Sequence, residues 1–158
     1  MSVKGLDPQQ AQAMRERIEF LKELVDRFGP EVMEVADRRS RRNITAGWKA
    51  IGLQQAEISI ESLVDVLWNG MCRADGLEFT LEASDEQIQV CCTSCPWVAV
   101  AQAAGSTEIG YQVLCQGDPY MVEGFNQAAA PGARRIQFSR RKTLMQGDDC
   151  CDHRYTYE

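Results

Sequence analysis

In Leu77-Glu78-Phe79-Thr80-Leu81-Glu82-Ala83-Ser84-Asp85-Glu86-Gln87-Ile88-Gln89-Val90-Cys91-Cys92, apolar and polar residues alternate on both sides of a turn signal at Ser84-Asp85. Leu77, Phe79, Leu81 and Ala83 fall on one face of the first run, and Ile88, Val90 and Cys92 on one face of the second. A side-chain period of two belongs to half-buried strands, so the stretch predicts an antiparallel hairpin with one wet face.

Upstream the period is helical. Met14, Ile18, Leu21, Val25 and Phe28 recur at three- and four-residue steps between Asp7-Pro8 and Gly29-Pro30, which predicts a helix with one buried stripe. A second helical segment runs from Glu31 to about Arg42, followed by a glycine-interrupted stretch from Ile44 to Leu53. A third helix starts near Ser59, carries Leu63, Val64, Leu67, Trp68, Met71 and Cys72, and ends at Asp75-Gly76. Downstream, Cys95-Pro96 opens a short helix ending at Gly105 and Ser106 caps another. Asp118-Pro119 reads as the cap and first residue of a further helix through Ala130. Ile136 and Phe138, then Cys151, His153, Tyr155 and Tyr157, resume the alternation, predicting a second hairpin turning around Gly147-Asp148. The expected fold class is α+β: N-terminal helices packed with an antiparallel sheet of two hairpins separated by helices. The chain reads as a single domain over 1–158, with 1–74 mainly helical and 75–158 a sheet-and-helix half.

Composition narrows the chemistry. The 158 residues carry a formal charge of −6 and one histidine. An acidic total argues against a nucleic-acid partner, and the absence of a long apolar run or an apolar leader argues against a membrane or secreted protein. The expected location is the cytoplasm, and the expected partner is a small-molecule substrate, with a homo-oligomer left open. A lone His153 excludes zinc sites built on two or three histidines. Neither a phosphate-binding loop nor a dinucleotide fingerprint is present. The Arg38-Arg39-Ser40-Arg41-Arg42 cluster follows Glu34 and Asp37 at four-residue steps, the order of ion pairs on a solvated helix face.

The seven cysteines all lie beyond residue 70. Cys95, at the start of a helix, is expected to have a lowered pKa from the unpaired N–H groups there. Cys115 and Asp118 stand one turn apart at a helix junction. Cys151 and His153 share a strand face about 6.5–7 Å apart, close enough for a thiol–imidazole pair around a substrate. Cys72, beside Val64 and Trp68, is expected to be inert. These positions suggest a thiol-based site of Cys95, Cys115, Asp118, Cys151 and His153, with an arginine able to hold a substrate carboxylate. A second arrangement of the same thiols, Cys92, Cys95, Cys115 and Cys151, suits tetrahedral zinc or an iron–sulfur cluster.

From Cys91 to Tyr155 the chain resembles the family named for L-2-amino-thiazoline-4-carboxylic acid hydrolase. The resemblance rests on Cys95-Pro96, on Cys115-Gln116-Gly117-Asp118, and on Gly147-Asp148-Asp149-Cys150-Cys151-Asp152-His153-Arg154-Tyr155. It implies a small hydrolase that opens a cyclic thiazoline amidine, with Cys95, Cys115, Asp118 and Cys151 at the matching positions. This chain departs from the pattern in doubling its cysteines at Cys91-Cys92 and Cys150-Cys151, and in placing His153 where an aromatic is expected. The same layout also resembles the non-catalytic small-molecule-binding domains related to vinyl reductase. A looser likeness in residue types is to organomercurial lyases, which use two thiolates and a carboxylate.

Overall fold

A computed structural model describes residues 5–158 and has an α+β architecture. Helix α1 (Pro8–Phe28) begins on Asp7, whose carboxylate accepts from the backbone N–H groups of Gln9 and Gln10, and ends at Gly29, whose φ of 91° suits glycine. Ile18 and Leu21 of its stripe are buried, whereas Phe28, beside that stop, is 62% exposed. Helix α2 (Val32–Gly52) is continuous: the two segments expected on either side of Asn43 are one helix. Its continuity follows from packing, because α2 lies so close to α6 (Asp118–Asn126) that a Cβ at Gly124 would fall against the Thr45 backbone.

Helix α3 (Ile60–Val64) starts on a reciprocal Ser59–Ser62 capping box and continues as a π-helical segment, Asp65–Cys72. A short α4 (Pro96–Ala103) follows the first hairpin; α5 (Thr107–Gly110), capped by Ser106, again widens into a π-helical segment, Tyr111–Cys115. Both widened segments end on a cysteine, Cys72 and Cys115. Such π turns alter which side chains reach a given face and are frequent beside functional sites.

Strands β1 (Glu78–Ser84), β2 (Gln87–Ser94), β3 (Ile136–Ser139) and β4 (Cys151–Tyr157) form one antiparallel sheet in the order β1-β2-β4-β3. The two hairpins therefore meet along β2 and β4. Their link from β3 to β4 is broader than a tight turn, containing a 3₁₀ turn, Leu144–Gln146, closed by left-handed Gly147. Ile88, Val90, Cys92 and Tyr155 point into the core. The expected buried face of β1 is only half realised. Phe79 packs on Trp68 at 5.1 Å, but Leu81 and Ala83 are exposed at the sheet edge, since α3 lies over β2 and β4 and α6 over β3.

The arginine cluster is exposed, with partners other than those expected. Arg41 reaches Glu123 on α6 at 3.0 Å, and Asp37 accepts the Tyr120 hydroxyl at 2.9 Å. The helix is tied to α6 and not to itself. No helix among the described residues is long and apolar enough to cross a membrane.

Candidate active site

The register of β2 on β4 sets Cys92 opposite Cys151 and Val90 opposite His153. Around this face the helices leave a cavity of about 280 Å³, and all six residues singled out from the sequence line it: Cys92, Cys95, Cys115, Asp118, Cys151 and His153. Cys72 lines it too, brought there by the π-helical segment after α3. The rest of the wall is largely apolar, including Trp48, Leu67, Trp68 and Trp97.

Asp118 does not cap α6. Gly117 occupies the cap position and Asp118 starts the helix with its carboxylate turned to the sheet. There Arg140 Nη1 donates to Asp118 Oδ2, and His153 Nε2 lies 3.1 Å from the same oxygen. Arg140 Nη1 is also 3.3 Å from His153 Nε2, while Nη2 donates to the Cys115 carbonyl at 3.2 Å. The side chains of Arg140 and His153 are only 8% exposed and that of Asp118 16%. Burial alone would lower the Arg140 pKa, but Asp118 and Cys115 hold it above the ordinary value. Phe138 stacks beside both His153 and Arg140, and the Trp68 ring meets His153 edge-on at 4.8 Å. Trp68 is fixed in turn by its Nε1–H donating to Tyr155 Oη at 2.9 Å.

Oδ2 takes both contacts, so Oδ1 of Asp118 has no hydrogen-bond partner among the described residues. His153 Nδ1 is likewise unpartnered, but it is sealed from solvent. The carboxylate, not the imidazole, therefore keeps a polar atom that is neither bonded nor sealed, on a residue that lines the cavity.

Cys151 and His153 share a face but do not pair. Cys151 Sγ accepts from the Leu144 N–H at 3.2 Å and sits 3.7 Å from Thr143 Oγ1, while His153 is committed to Asp118. The lowered pKa expected for Cys95 is also overturned. Burial pushes that thiol up to about 11, and the Trp97 and Val98 N–H groups at the helix start offset only part of the rise. Burial, with Asp118 nearby, pushes Cys115 up to about 12 against the opposing pull of Arg140. Burial raises Cys92 to about 12 and carries Cys72 higher still. Near neutral pH these four are thiols. No group of three or more Cys, His, Asp or Glu among the described residues is arranged to hold a metal ion, although the four expected thiolate ligands share the cavity.

Arg140 went unnamed in the sequence because Arg140-Arg141-Lys142 reads as a solvated basic run. The signal was the strand period: Ile136 and Phe138 face inward, and the next position on that face is Arg140.

Sheet, helices and thiol-lined cavity define an α+β protein with a buried carboxylate–arginine–histidine cluster. The chain matches the family described as L-2-amino-thiazoline-4-carboxylic acid hydrolase over residues 8–155, and it belongs to that family. Among solved structures it is similar to a trafficking protein particle complex subunit 3 from Naegleria fowleri, covalently bound to palmitic acid. The TM-score is 0.55 at 8% identity, covering 96% of this chain and 97% of that one, a likeness of fold. No curated protein matches the chain significantly.

Proposed function

We propose that this chain hydrolyses a small cyclic amidine of the thiazoline type, with Asp118 as the proton-transferring group and the Cys95 and Cys115 thiols ordering water and substrate. The observation that carries this reading is the half-used carboxylate. Arg140 and His153 fix Oδ2, and Oδ1 stays free on a residue that lines the cavity. Family membership supports the hydrolytic class. Seven free cysteines suit a reducing compartment such as the cytoplasm.

In this mechanism water attacks the amidine carbon while Oδ1 takes its proton. The π electrons of the C=N bond move to nitrogen, giving a tetrahedral adduct. The nitrogen lone pair re-forms C=N as the ring C–S bond breaks, and the electron pair of that bond leaves on sulfur. Asp118 returns the proton there, and tautomerisation of the resulting isourea gives the carbamoyl thiol. Neutral thiols fit the task of weak S–H donors better than that of nucleophiles, because thiols with pKa values near 11 and 12 hold few thiolates at neutral pH. Arg140 acts through Asp118: its Nη atoms are committed to Asp118, His153 and the Cys115 carbonyl, so the two-pronged carboxylate clamp expected of an arginine is not free.

The test is ring opening of 2-amino-2-thiazoline-4-carboxylate followed by proton NMR under anaerobic conditions. Asp118→Asn should lower the rate by about 10²–10⁴, the range for a general acid–base group. Cys115→Ala should cost less. Saturable binding without ring opening would overturn hydrolysis in favour of a ligand-binding module, and full activity in folded Asp118→Asn would remove the carboxylate from the mechanism.

A further inference from the structure

The cavity is larger and more apolar than a thiazoline acid requires. Its volume of about 280 Å³ is nearly twice the roughly 150 Å³ void that accommodates a benzene ring, so a single heterocycle leaves space for a second ring-sized group. The wall around that space is aromatic: the protein's three tryptophans, Trp48, Trp68 and Trp97, all line the cavity. Two of their polar edges are already used, since Trp68 Nε1 donates to Tyr155 and Trp97 Nε1 donates to Asp75 at 3.2 Å. Asp75 and Asp118 both line the cavity, and each keeps Oδ1 without a hydrogen-bond partner among the described residues, so the polar head of a ligand has a carboxylate oxygen to meet. Beyond these carboxylates the wall is largely apolar and offers stacking and apolar contact.

We infer that the substrate of this site is an amidine bearing a planar apolar substituent of about one ring, held against the tryptophan wall while its head meets Asp118. The inference rests on the amidine-hydrolysis reading for the head group, but the apolar half stands on the cavity itself.

The experiment compares 2-amino-2-thiazoline with 2-amino-4-phenyl-2-thiazoline, reading binding by calorimetry and by the fluorescence of the three cavity tryptophans, and ring opening by NMR. Burying the extra ring should tighten binding roughly tenfold to a hundredfold. Leu114→Phe, which fills part of the lining, should bring the ratio of the two affinities toward one, and Met121→Phe on another part of the wall provides a second variant should the first fail to fold. Equal affinity for the two compounds in the unaltered protein overturns the inference, as does a preference that survives both filling variants. A strong phenyl preference without ring opening of either compound supports the apolar half and overturns hydrolysis. Ring opening with no preference does the reverse.

Discussion

Adjacent strands carry the same doubled cysteine and put it to two different uses. Cys92 and Cys151 face each other on the inner side of β2 and β4, both buried against the core. Cys91 and Cys150 occupy the outer side, half-exposed. The Cys92 and Cys150 thiols are both raised, but for different reasons: burial dominates at Cys92, whereas Cys150 is raised to about 11 chiefly by a hydrogen bond with the Cys91 side chain. One residue of register separates a cavity wall from a surface pair, since a one-residue step in a strand reverses every side chain. The same holds one step on, where His153 and Tyr155 enter the site and core while Arg154 between them lies in solvent.

The hardest way to break this contrast is through Tyr155, which is 1% exposed and carries the Trp68 bond. Tyr155→Ala should destabilise the fold by about 3–5 kcal/mol, the range for deleting a buried aromatic, measured by urea unfolding. Tyr155→Phe separates packing from bonding. It keeps the ring but strands the Trp68 N–H, and should cost about 1–3 kcal/mol. A negligible loss in Tyr155→Phe would mean that Trp68 finds another acceptor.

Alkaline pH sharpens the same comparison through the inner thiols. Cys72, Cys92, Cys95 and Cys115 all titrate above the ordinary thiol value of 9.0 in the fold. The sign follows from linkage: above that value the unfolded chain releases protons that the folded chain retains. The stability these groups contribute is therefore complete below about pH 9 and is lost as pH rises toward their folded values. Each such thiol adds about 1.4 kcal/mol per pH unit to the loss within that window. Melting temperature should fall steeply above pH 9, and Cys115→Ser should make the fall shallower. Cys150→Ser should alter it far less, because solvent screens the outer pair. A melting temperature that stays flat from pH 8 to about 10.5 would contradict the burial of the inner thiols.

The inner and outer faces also mark how far the sequence could be read. Alternation in Ile88-Gln89-Val90-Cys91-Cys92 and in Cys151-Asp152-His153-Arg154-Tyr155 assigned each residue to its face, because the period of a strand is local. Helix starts were legible for the same reason: Asp7, Ser59 and Ser106 act within three residues of themselves. Asp118 was misassigned as a cap because its partners, Arg140 and His153, come from elsewhere in the chain. Arg41 and Asp37 failed likewise, each preferring α6 to its own helix. The Cys95 shift failed on magnitude. The helix-start N–H groups do favour its thiolate, but the depth of burial, which no local pattern states, outweighs them.

The smallest expected effect is at Arg154, and it tests the comparison from the wet side. Arg154 stands opposite Gln89 in the register, and its Nε and Nη2 donate to Gln89 Oε1 at 3.4 and 3.2 Å. Cross-strand pairs of this kind contribute roughly 0.2–1 kcal/mol, and the exposed side chain loses entropy in making one. Arg154→Ala should therefore shift unfolding by no more than about 0.5 kcal/mol. Arg154→Val should recover that loss, since a β-branched residue suits an exposed strand position. The residues on either side, His153 and Tyr155, are 6% and 1% exposed, so three consecutive positions should span the range from surface to core when measured in one urea series. A large loss at Arg154 would mean that the outer face is covered, and that Cys91 and Cys150 beside it are not the solvent-facing pair of this contrast.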